Sequence, residues 1–92
     1  MRKDTIKNII KIVKCLEAEE GWTWIRDIAR KSGIHHKTVS RLIDRHLSMF
    51  LETQEMEPFK LRMVRLKSDA DMNGILKYLA VKNKIENARK LP

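Results

Sequence analysis

Apolar residues recur at helical spacing at the start of the chain. Ile6, Ile9, Ile10, Val13 and Leu16 form one stripe, while Lys7, Lys11 and Lys14 fall on a different face. The spacing predicts a helix capped by Asp4 and running to about Glu20, with Gly21 as its stop. Thr23 is placed to cap a second helix from Trp24 to Lys31. Its inward face is Trp24, Ile25, Ile28 and Ala29, with Arg26 and Arg30 outward. A third helix is predicted from about His36 to Ser48. At ~100° per residue, Val39, Leu42, Ile43 and His46 cluster on one side of it. His36, Lys37, Ser40, Arg41 and Asp44 cluster opposite. Trp22 and Trp24 flank the cap and read as core and staple residues.

After the third helix the pattern changes. Phe50 to Gln54 and Phe59 to Lys67 are rich in apolar and β-compatible residues, and Glu55-Met56-Glu57-Pro58 is turn-like. This predicts a hairpin. The alternation breaks around Met63 and Val64, so no register follows from it. Ser68 opens a capping-box-like Ser-x-x-Asp ending at Asp71, and a last helix follows to about Arg89. Met72, Ile75, Leu76 and Leu79 form one apolar face of that helix. Gly74, Tyr78, Val81, Ile85 and Ala88 form another at heptad spacing, pointing nearly the opposite way. One face closes the core. The other is left for an interface, or folds back onto the first helix.

The segment Ile28 to Ile43, IARKSGIHHKTVSRLI, carries the most specific signal. Ala29 is small enough for two helices to cross closely. Gly33 suits the positive φ that a tight turn after a helix needs. Ile28, Ile34, Val39 and Leu42 are apolar where the two helices meet. With the hairpin behind it, this segment resembles the winged helix-turn-helix family over roughly Ile6 to Lys67. The stretch GIHHKTVSR looks like the turn and start of a recognition helix in many bacterial and archaeal regulators. The fold class implied is mainly α with a small β-hairpin: a winged helix-turn-helix over residues 1–67, and an additional C-terminal helix over residues 68–92 as dimerisation element.

Charge agrees with a polyanionic partner. Twenty Lys and Arg stand against 12 Asp and Glu in 92 residues, a net charge of +8. Between Trp22 and Ser48 six cations face two carboxylates, so half of that excess lies on the motif. Charge alone does not separate DNA, RNA and anionic membrane. A single cysteine, Cys15, excludes an internal disulfide and reads as a small packing residue in a reducing compartment. No signal peptide is visible and no apolar run approaches the ~20 residues of a membrane span, so a cytoplasmic, nucleoid-associated location with no membrane partner is expected.

The resemblance implies that the outward face of the third helix meets base edges. Lys37 and Arg41 can donate to guanine O6 and N7. His36 and Ser40 can bond bases or phosphates, and His35 joins them as a contact. Arg30 and Arg45 suit phosphates. Asp44 either pairs with a neighbouring Arg or accepts from cytosine. Glu52, Glu55 and Glu57 make the wing acidic, a departure that puts its contact with DNA in doubt and leaves a protein-binding role open. Lys60, Arg62, Arg65 and Lys67 restore positive charge on the second strand, with Lys60 the candidate contact. His35, His36 and His46 lack zinc-ligand spacing, and neither a nucleophile–base motif nor a phosphate-cradling glycine loop is present. The expectation is a non-enzymatic double-stranded-DNA-binding regulator without cofactor, dimeric through Gly74, Tyr78, Val81, Ile85 and Ala88. The rival is a winged-helix interaction module in a DNA-processing complex, meeting a protein partner through its acidic wing or last helix. An architectural DNA-binding role is a further alternative.

Overall fold

A computed structural model describes residues 2–19, 21–56 and 61–90, with the backbone alone from residue 87. The chain is mainly helical, with a small three-stranded antiparallel sheet and a C-terminal helix. The elements in order are α1 (Lys3–Ala18), β1 (Thr23–Trp24), α2 (Ile25–Ser32), α3 (His36–Leu42), β2 (Leu51–Met56), β3 (Leu61–Leu66) and α4 (Met72–Lys90). Between α3 and β2 the chain stays helical, first as a π turn over Ile43–Leu47 and then as a 3₁₀ turn over Ser48–Phe50.

α1 buries Ile9, Ile12, Val13 and Leu16, spaced three, one and three apart as a single inward stripe requires. Ile12 belongs to that stripe, while Ile6 and Ile10 sit half-buried at its margins. Ile25, Ile28, Ile34, Val39, Leu42, Ile43 and Leu47 add the α2–α3 side of the core, and Ile75 and Leu79 close it from α4, which packs on α1. The expected turn is present. Gly33 ends α2 with φ 76° and its N–H donates to the Ala29 carbonyl at 2.9 Å. That is the left-handed C-terminal stop which glycine provides without steric cost.

Several expected caps move. Asp4 lies inside the first turn of α1, and Arg2 precedes the helix without a side-chain cap. Thr23 is no cap either: with Trp24 it forms β1, which pairs with β3. Ser68 is exposed ahead of α4, and the cap is Asp71, whose Oδ1 accepts from the Gly74 N–H at 2.7 Å. Gly74 therefore belongs to a capped first turn, where its weak helix propensity costs little.

The sheet order is β1-β3-β2, so β3 is central. Val64 stands opposite Thr23 on one side and Thr53 on the other. It is fully buried, and by the two-residue pleat Arg62 and Leu66 share its face. A cation thus faces inward where Met63 faces outward. This inversion is why the alternation breaks at Met63–Val64. Glu57, Pro58, Phe59 and Lys60 lie outside the described residues. No helix is long and apolar enough to cross a membrane among those described.

Candidate functional site

α3 begins at a side-chain cap that the pattern did not reveal. His35 Nδ1 accepts from the Lys37 backbone N–H at 3.2 Å, so the ring serves the helix start and carries its proton on Nε2. The rings of His35 and His36 stack with centroids 4.4 Å apart. Both are exposed. His35 is therefore a capping residue, whatever else its free edge contacts.

Beyond the cap, Val39 and Leu42 are buried and point α3 into the core. That anchoring leaves Lys37 and Arg41 exposed on the far side, with Ser40 half-buried between them. On α2, Arg26 and Arg30 are exposed as expected. Arg30 is tied to Asp27 through Nη2 and Oδ1 at 2.9 Å, a solvent-exposed pair that costs little to break. Among the described residues, no ion pair engages Arg26, Lys37 or Arg41. Their guanidinium and ammonium groups keep their donors for a ligand.

Two carboxylates nearby, Asp44 and Glu52, are engaged by arginines. Arg62 Nη2 donates to Asp44 Oδ1 at 2.7 Å, which joins the π turn to β3 and gives Asp44 an arginine partner. Glu52 pairs with Arg65 directly across the β2–β3 ladder, and Glu55 stands opposite Arg62 in the same register. Glu52 is thus matched by a strand cation, whereas the Arg62 guanidinium is engaged by Asp44. Lys31 bonds Glu19 and so fastens the end of α2 to the end of α1; that hydrogen bond holds the Lys31 ammonium pKa above its ordinary value.

An open groove of about 540 Å³ runs between the start of α2, the face of α3 and β3. Trp24, Arg26, His36, Ser40, Leu61 and Arg62 line it. Arg62 Nε is buried there without a partner. α2 starts beside the groove without a side-chain cap. The arrangement presents cationic side chains, with the Asp27 carboxylate among them, to anything that lies across α2 and α3.

Other residues part from their expected places. Trp22 is not core: it is exposed, with the Arg65 guanidinium 4.5 Å from its ring centroid. Cys15 is a free, half-buried thiol packed on the core. Leu76 is exposed, because one residue past Ile75 turns it ~100° from the core. Tyr78 is not on the free stripe. It is half-buried and meets Phe50 edge-on at 5.4 Å, leaving Val81 (57% exposed) and Ile85 (49%) as the uncovered large apolar residues of that stripe among those described. Gly74 is exposed; the Ala88 side chain and Lys60 lie outside the described residues. Among those described, no group of three or more His, Cys, Asp or Glu is placed to hold a metal ion.

His46 was expected on the buried face and is half-buried, at the end of the π turn. It meets Lys82 of α4, with Nζ at 3.1 Å from Nδ1. Burial lowers its pKa below the ordinary histidine value of 6.5, and the Lys82 charge lowers it further.

Comparison with protein-family models, with curated proteins and with solved structures finds no match to this chain.

Proposed function

We propose that this chain is a winged helix-turn-helix protein that binds double-stranded DNA, with α2 and α3 as the helix-turn-helix, the β2–β3 hairpin as the wing and α3 as the helix that enters the major groove. The observation that carries the reading is a cationic face with no ion pair among the described residues: Lys37 and Arg41 on α3 beside Arg26 on α2, all exposed. A buried Val39–Leu42 edge holds that face outward. Arg41 and Lys37 read guanine edges, while Arg26, Arg30 and Arg45 hold phosphates. His36 and Ser40, at the groove wall, complete the contact surface. Transcriptional regulation in the nucleoid is the task such a module serves, as a homodimer through α4.

Exposed Val81 and Ile85 also support a second reading, in which α4 docks the chain on a protein partner in a DNA-processing complex. Selection of binding sites from random double-stranded DNA separates the two. The DNA reading expects an enriched sequence, bound with a steep salt dependence. Arg41→Ala is expected to lose ~1–3 kcal/mol on that sequence and much less on random DNA. Arg30→Ala is expected to weaken both alike. Equal losses for Arg41→Ala on the two DNAs overturn its base-reading role, and no enrichment at all favours the protein-partner reading.

A further inference from the structure

We propose that Lys82 and His46 form an acid-sensitive latch that holds α4 to the turn leaving α3, and that protonation of His46 opens it. The latch is a long-range contact: Lys82 Nζ lies 3.1 Å from His46 Nδ1 and 3.3 Å from the Arg45 carbonyl oxygen, 36 and 37 residues away in sequence. An ammonium has only donors, so His46 Nδ1 accepts and the imidazole is neutral with its proton on Nε2. Adding a proton to Nδ1 removes the acceptor and sets two cations 3.1 Å apart.

The surroundings do not rescue that charge. From α4, Lys82 opposes it and Glu86 attracts it; from its own turn Arg45 opposes it, as does the chain's amino terminus. Burial opposes it most of all. A histidine whose folded-state pKa is lowered binds its proton more readily when released. Protonation therefore favours the open form, and the latch is complete above about pH 6.5 and weakens as pH falls through that value. Lys82 lies between Tyr78, whose ring centroid is 5.9 Å from Nζ, and Ile85. Opening thus frees the half of α4 that carries the exposed stripe, while Ile75 and Leu79 keep the first half docked on the core.

Amide hydrogen exchange resolved by residue tests this without any DNA. Exchange is measured at pH 7.5 and pH 5.5 and corrected for intrinsic rate. In the wild type, protection of residues 79–86 is expected to fall several-fold relative to residues 9–16 of α1. In His46→Gln the side-chain carbonyl still accepts from Lys82 but does not titrate in this range, so the ratio is expected to stay constant with pH. His35→Gln with His36→Gln, by contrast, should keep the wild-type response. A wild-type ratio that does not change with pH, or an equal change in His46→Gln, overturns the latch. A loss spread evenly over α1 and α4 also overturns it, because it reports global unfolding.

Discussion

Gly33 has φ 76° and open space where a Cβ would stand. The cost of a side chain there is backbone strain rather than collision. Gly33→Val is expected to destabilise the fold by ~1–2 kcal/mol, because a β-branched residue is poorly suited to the left-handed region. Gly33→Asn is expected to lose much less, since Asn visits that region readily. Thermal melts of the two variants check this, and equal melting temperatures would mean that φ at this turn is not what stops α2. This residue was readable in the sequence because its requirement is local: a helix must end within a few residues of Ala29 for α3 to cross it. Lys37 and Arg41 were readable for a similar reason, as helical periodicity fixes their face once Val39 and Leu42 are placed inside. His35 as a cap was not read, because Ser, Thr, Asp and Asn are the expected cap residues and an imidazole acceptor gives no comparable signal. Tyr78 was misplaced and the partner of His46 went unread for a different reason: Phe50 and Lys82 lie 28 and 36 positions away, and periodicity on one helix says nothing about what faces it.

At the scale of elements, the sheet is where pattern and structure part most. β1 has two residues, too short for any period to register. Its effect is nevertheless large, because it makes β3 a central strand and buries Thr23 at 4% exposure. Thr23 Oγ1 has no hydrogen-bond partner there among the described residues. A buried orphan hydroxyl costs ~1–3 kcal/mol of desolvation. Thr23→Val keeps the shape, suits a strand and removes the polar atom. It is expected to stabilise the fold by about 1 kcal/mol, raising Tm by roughly 4–8 °C for a domain of this size. A lower Tm would reveal an acceptor or ordered water on the hydroxyl. The helices were legible because each carries two or more turns of apolar period. The passage from α3 through a π turn to a 3₁₀ turn was not, since Ile43 and Leu47 lie on the inner face whichever helix type joins them. The acidic hairpin shows the same limit. Glu52 and Glu55 read as a negative edge until the register places Arg65 and Arg62 opposite them.

For the whole molecule, the question is what covers Val81 and Ile85. With Tyr78 turned to Phe50, the proposed dimer stripe narrows to these two side chains in the described part of α4. Each is about half exposed, so burying it against a second copy recovers roughly half of the ~1.5–3 kcal/mol of a full burial. Four such side chains give ~3–6 kcal/mol, against an association cost of ~4 kcal/mol or more. This arithmetic leaves at most ~2 kcal/mol of net association for the free protein, a Kd of roughly tens of millimolar or weaker. DNA changes the balance. Two half-sites about 34–36 Å apart hold two copies side by side in a fixed orientation, so most of that association cost is already met by binding the DNA. The expected outcome is a mostly monomeric chain at 10 μM that binds a palindromic site cooperatively as two copies. Val81→Glu with Ile85→Glu is expected to leave the fold intact, because both positions face solvent. It should abolish the cooperativity while preserving affinity for a single half-site. Sedimentation of free protein and of protein with one or two half-sites reads all three quantities. A double variant that still binds two half-sites cooperatively would show that the copies meet elsewhere, and a wild type that binds them independently would return the stripe to a partner of another kind.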